Sequence, residues 1–267
     1  MNVFKKDFRG RFRSFFIWTI IISLFGFLYI PFTDKLLEES EPMLKMLENI
    51  PKVLLNMFNM DVAMFSKPEG IFGSEGMSFV YILTGVFAAM MAGALFSREF
   101  EEKTIEYLLV KPISRRRIFL EKSFTLITFV ILLSGLFTIT TVLLFRTLVH
   151  TAPYNEHILF GFGLYVLSIQ LFFAAVSTLV SVATQKSSLT TSLTLGILIF
   201  MYFGNSLSSV NKNLAWMGKI SVFHYLPLID TVVKEKIFVS NALVIILVAL
   251  LIFYGALEFF KRKDVLI

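Results

Sequence analysis

SFFIWTIIISLFGFLYIPFT, residues 14–33, holds 20 positions without Asp, Glu, Lys or Arg. Phe15, Phe16, Ile17, Trp18, Ile20, Ile21 and Ile22 crowd one short run and leave no polar face. A barrel strand would alternate apolar and polar residues with a period of two, and this run does not. A helix needs about 20 such residues to cross about 30 Å of hydrocarbon, so the stretch predicts a membrane span.

Five more stretches pass the same test: 76–97, 123–145, 158–185, 187–211 and 237–257. Together the six hold 139 of 267 residues, which leaves little chain for a domain outside the membrane. The whole sequence is 56% hydrophobic and only 16% charged. Soluble domains carry about 25% charged residues, so a water-soluble enzyme is excluded on composition. The expected fold is an all-α membrane protein with six transmembrane helices in one domain spanning residues 1–267.

Basic residues near membrane ends are retained in the cytoplasm, and they divide unevenly here. The N-terminus, the 98–122 loop, Lys186 and the C-terminal tail carry 16 Lys and Arg, against 9 in the opposite set of loops. Both termini are therefore expected in the cytoplasm, in agreement with an even number of spans. The net charge of +6 comes from these membrane-flanking residues rather than from one soluble basic face, so no nucleic-acid partner is implied.

Phe4, Phe8 and Phe12 recur every fourth residue among Lys5, Lys6, Arg9 and Arg13. The pattern predicts a short N-terminal helix in the inner interface, serving as an elbow or as a topology anchor alone, and leading into a retained first span. The outer loop 34–75 carries apolar residues near helical spacing, broken near Pro51, and reads as a helix pair on the outer leaflet or as a solvated cap. Gly85, Ala89 and Gly93 give the second span one face of small residues for close helix approach. A single charge, Lys186, separates spans four and five, which must form a tight hairpin on the inner side.

Chemistry-bearing motifs are missing. There is no phosphate-binding G-x-x-x-x-G-K-[ST] loop, no G-x-S-x-G, no H-E-x-x-H and no cysteine. His150, Glu156 and His157 form the sole His/carboxylate cluster and read as a polar outer loop rather than a metal site. No catalytic residue, metal or cofactor is assigned to the chain, so chemical energy has to enter from another polypeptide. No span carries a central charge of the kind gradient-driven pumps use. Gln170, Thr194 and Asn205 are candidate polar contacts along a substrate path; helix-to-helix hydrogen bonding is the plainer role for each.

The inner loop after span two reads SREFEEKTIEYLLVKPISRRRIFLEK, residues 97–122. Residues 98–110 can extend a helix, with Phe100, Thr104, Tyr107 and Leu108 on one side and Glu99, Glu102, Lys103 and Glu106 largely on the other. Pro112 interrupts it, and Ser114 can cap the helix that leads into span three.

This loop resembles the ABC-2 type permeases, the membrane subunits of many bacterial ATP-binding-cassette exporters. Their pattern, approximately R-E-x-E-x-G-T-x-E-x-L-L-x-x-P-[IV]-S-R-x-x-I-x-x-x-K, is matched at Arg98, Glu99, Glu101, Thr104, Glu106, Leu108, Leu109, Pro112, Ile113, Ser114, Arg115, Ile118 and Lys122. Lys103 stands where glycine is common. The segment Trp216 to Pro227 is similar, more weakly, to the family's re-entrant region before span six. The resemblance implies a cytoplasmic coupling helix between spans two and three that docks on an ATPase subunit through Glu102, Thr104, Glu106, Pro112, Ser114 and Arg115. It further implies a bacterial cytoplasmic membrane, a second permease chain, identical or related, and ATP and Mg bound by cytoplasmic ATPase partners. The function expected on this basis is export of a lipid, amphiphilic peptide or hydrophobic drug. A gradient-driven secondary transporter and a membrane scaffold or sensor without transport stay as alternatives.

Overall fold

Six helices long and apolar enough to cross a membrane make up most of the chain, and the described residues contain no strand. The computed structural model describes residues 3–38, 49–50, 62–102, 113–150, 152–209 and 212–262. In order the spans are α1 (Val3–Glu38), α2 (Pro68–Glu101), α3 (Arg115–Leu148), α4 (Glu156–Thr184), α5 (Ser187–Ser208) and, after two short helices α6 (Ala215–Ile220) and α7 (Leu228–Val233), α8 (Val239–Arg262). A 3-10 turn, Val222–Tyr225, joins α6 to α7.

Helix starts are capped by the residues the chain places there. Ser114 Oγ accepts from Arg117 N at 3.3 Å ahead of α3, and Asn155 Oδ1 accepts from His157 N at 3.0 Å ahead of α4. α4 lies at the centre, touching α2, α3, α5 and α8, while α1 leans on α3 and α2. α2 and α4 are accordingly the most buried spans, and α1 is the least.

The small-residue face of α2 is where α4 and α5 come closest. A Cβ on Gly85 would lie 2.1 Å from Leu198 Cδ1, and one on Gly93 would lie 3.4 Å from Thr191 Oγ1. Ser177 of α4 donates to the Ala89 carbonyl at 3.1 Å between them. Absent side chains on α2 thus let the two neighbours reach its backbone.

Two features differ from the sequence expectation. α1 is one unbroken helix of 36 residues, about 54 Å long at 1.5 Å per residue, with no separate elbow. Its first turns are held by α3: Glu121 carboxylate accepts from Val3 N (2.7 Å) and Phe4 N (3.2 Å), and Phe8 stacks on Phe129 at 4.8 Å. The aromatic stripe read as an interfacial face is in part a packing face. α2, in turn, begins at Pro68, eight residues before the charge-free window. Pro68 sits in the first turn, where a missing N–H costs nothing, and Glu69 sits at the positive end of the helix dipole. α2 also contains two π-helical turns, Phe72–Gly76 and Gly93–Ser97.

The α4–α5 hairpin turns on two residues, Gln185 and Lys186, neither of them glycine. Gln185 takes φ 55°, in the left-handed region, and its N–H closes on the Ser181 carbonyl at 2.9 Å. Because a left-handed residue with a Cβ costs about 1 kcal/mol relative to glycine, Gln185→Gly is expected to preserve or raise thermal stability. Gln185→Val, branched at Cβ, is expected to cost about 1–2 kcal/mol in detergent melting.

Opposite this turn the far end is tied by charge. Arg146 donates to both Glu156 oxygens at 2.8 Å, and Lys67 pairs with Glu235, holding that carboxyl below the usual carboxylate range. Tyr165 of α4 is buried, hydrogen-bonded to Thr231 of α7 at 2.9 Å, and accepts from Phe238 N at 2.8 Å. The segment ahead of α8 is thereby fastened to the central helix.

Candidate functional site

The start of α1, the end of α2, the start of α3, the α4–α5 turn and the end of α8 meet at one end of the bundle. The 98–122 loop leaves from and returns to this end. Of its expected docking residues, Thr104, Glu106 and Pro112 lie outside the described residues. Glu102 is exposed and accepts from Arg98 Nε at 2.5 Å. Ser114 is the cap of α3, and Arg115 is the first residue of that helix. The two flanks thus lie at the same end, with exposed polar groups at both.

Beneath the loop lies a charge cluster. Lys122 is 2% exposed, and its ammonium reaches Glu99 Oε2 at 2.8 Å, Asp7 Oδ2 at 3.2 Å and the Leu95 carbonyl at 2.7 Å. Glu99, on the charged side of the 98–110 helix expected from sequence, is largely buried against this lysine. The π turn ahead of it adds a residue to the helix, which rotates the later residues onto a different face. Glu99 and Lys122 stand near the two ends of the loop motif, so their contact closes the loop at its base. Arg11 adds a second tie from α1, donating to the Ala94 carbonyl at 2.7 Å.

Two contacts carry the loop's flank to the hairpin. Glu101 Oε2 accepts from Ser187 N at 3.1 Å, placing a carboxylate at the positive N-terminus of α5. Just above, Ser97 shares buried hydroxyl hydrogen bonds with Ser181 of α4 and with Thr190 of α5, the latter at 2.8 Å. A displacement of residues 97–101 therefore bears on α1, α3, α4 and α5 together. The acids could be singled out in sequence by their motif positions, but their partners could not.

The three candidate path residues are not brought together. Gln170 is buried in α4 with Oε1 accepting from Ser134 of α3 at 3.2 Å, a helix-to-helix bond. Thr194 donates back to the Thr190 carbonyl of its own helix at 2.8 Å. Asn205 lines a cavity at the far end between α5, α6 and α8. Among the described residues no group of three or more His, Asp or Glu is arranged to hold a metal.

Residues 1–265 match the family described as ABC-2 family transporter protein. No curated protein matches the chain in sequence.

Proposed function

Because the chain belongs to the ABC-2 family of transporter proteins, we propose that it is a permease subunit that exports a hydrophobic or amphiphilic substrate, driven by ATP hydrolysed on separate cytoplasmic subunits. The loop end faces the cytoplasm, as the excess of Lys and Arg there argues. A second permease chain, identical or related, completes the membrane unit. The bacterial cytoplasmic membrane is the setting that the family resemblance suggests.

The observation that carries this reading is the closed base of the 98–122 loop. A pushed loop that ended in flexible tethers would transmit nothing. Here Glu99, Lys122 and Asp7 bind α1, α2 and α3 into one unit, and Glu101 reaches the start of α5. Closure of the ATPases would press on the loop and bias the spans between two arrangements. Glu102, Thr104, Glu106, Pro112, Ser114 and Arg115 supply the docking surface, the charged ones through charge-assisted hydrogen bonds.

The test is co-purification of the chain with its ATPase after changing Glu106→Ala and Arg115→Ala together. Each charge-assisted contact contributes about 1.5–3 kcal/mol, so ATPase retention is expected to fall at least about tenfold while the chain itself stays monodisperse. Unchanged retention and unchanged transport would remove the docking assignment. In vesicles, flux is expected to survive collapse of the proton and sodium gradients while ATP is maintained; loss of flux would favour the gradient-driven alternative.

A further inference from the structure

A groove of about 380 Å³ runs along the start of α3 on its lipid-facing side, lined by Ser114, Arg116, Arg117, Leu120, Glu121 and Phe124. Leu120 and Phe124 are 46% and 60% exposed, and the exposed Ile131 continues their face further along the helix. Four residues make about one turn, so Arg116, Leu120 and Phe124 stand in a row, with Arg117 beside its head. The start of α1 borders the groove: Phe4 packs beside Phe124 with ring centroids 5.2 Å apart.

Positive charge at the head of this row is left over. Glu121 is the acid in the lining, and its carboxylate is committed: it accepts from Val3 N, from Phe4 N and, at 2.9 Å, from Arg117 Nε. Arg117 is 68% exposed, and its Nη groups can still donate outward. Arg116 is exposed and has no carboxylate within ion-pair distance among the described residues. Glu258 of α8, which acts on Arg116 from farther off, is already paired with Lys261 at 2.6 Å. Lys5 and Arg9, exposed on the neighbouring turns of α1, add to the positive field. Retention of basic residues in the cytoplasm accounts for their number here. It does not account for two guanidinium groups heading a grooved, exposed apolar row.

We propose that this groove binds an anionic phospholipid. Its phosphate meets Arg116 and Arg117, whose planar forks match phosphate oxygens in pairs, and one acyl chain lies over Leu120 and Phe124. The helix rises about 22 Å from Arg116 to Ile131, more than the about 15 Å depth of one hydrocarbon leaflet, so the row is long enough to carry a chain. A zwitterionic headgroup would bring its own cation to the same arginines, so net charge selects the anionic lipid. The lipid is a ligand on the outer wall of the bundle, not cargo. By touching α3 and the start of α1 it braces the base of the 98–122 loop.

Lipid binding by the resting chain requires neither ATP nor a partner, so it is tested separately from the transport reading. The full chain, delipidated in maltoside detergent, is titrated with dioleoylphosphatidylglycerol, and bound lipid is counted by native mass spectrometry. Dioleoylphosphatidylcholine is the zwitterionic control, and glycerol 3-phosphate tests whether a free phosphate takes the same place. Saturable binding of phosphatidylglycerol in preference to phosphatidylcholine is expected, with no competition from glycerol 3-phosphate. Arg116→Gln with Arg117→Gln is expected to weaken phosphatidylglycerol about tenfold to thirtyfold, leave phosphatidylcholine unchanged, and melt close to the parent without lipid. Arg13→Gln with Lys186→Gln removes the same charge from exposed positions outside the groove and should leave binding unchanged. Equal losses in the two double variants would mean a diffuse positive field and would overturn the site. So would phosphatidylglycerol binding at parental strength without Arg116 and Arg117, or competition by glycerol 3-phosphate, which would make this a phosphate site rather than a lipid site.

Discussion

Replacing Lys122 by methionine is expected to cost about 3 kcal/mol of stability, because it removes one member of a buried ion cluster, strips Asp7 of its ion-pair partner and leaves Glu99 with only the more distant Lys6 at 3.4 Å. The side chain is of similar length, so packing is nearly preserved and the effect is electrostatic. Asp7 and Glu99 Oε2 would be left beside the Leu95 carbonyl, all acceptors, with the exposed Lys6 reaching only the other oxygen of Glu99. Detergent melting of the single variant should show a large drop. Adding Asp7→Asn and Glu99→Gln to Lys122→Met is expected to restore most of the loss, since the buried charges are then removed together. If the triple variant melts as low as the single one, Lys122 serves packing rather than charge. The triple variant also tests the proposed transmission: if the ionic clasp carries the loop's motion, flux should stay low even though stability is restored.

Gly70→Ala is expected to be the next most damaging change, at about 3 kcal/mol, the upper part of the range for overpacking. The added Cβ would lie 2.0 Å from the Met64 carbonyl oxygen and 2.8 Å from its carbon, both main-chain atoms that no rotamer change can move. Relief would require shifting the Val62–Ser66 turn away from the start of α2. Glu69 would move with it, and its Oε1 accepts from Asn155 N at 3.3 Å ahead of α4. The damage should appear as a lower melting point together with faster proteolysis near residues 62–70. Gly135 and Gly255 provide the contrast. Neither would bring a Cβ within 4 Å of another group, and alanine there should be neutral or stabilising by up to about 1 kcal/mol, its helix-propensity advantage.

Both variants turn on groups that window-based reading handles poorly. Charge-free windows located the spans because lipid excludes unpaired charge, a property of each segment by itself. The same criterion left Lys122 in the loop between spans two and three and began span two after Glu75. Lys122 is instead buried by partners 23 and 115 residues away, and Glu69 lies in helix under a neighbouring turn. The 98–122 motif was legible through its spacing, yet it could not tell which of its acids faced water and which faced a lysine. Phe4, Phe8 and Phe12 had the right period for a helix, but periodicity does not say whether an aromatic face meets lipid or α3.

The chain's own residues determine that it is an all-helical six-span membrane protein, that the basic residues gather at one set of loops, and that the loop after span two carries a family motif. Each stems from local composition and spacing, which persist in any arrangement of the helices. The tertiary structure alone decided that α1 is clasped to α3, that Glu99 and Lys122 close the loop, and that Tyr165 fastens α7 and the start of α8 to the central helix. The burial and pairing of a polar group depend on what other segments bring to it, and no single stretch of sequence contains that.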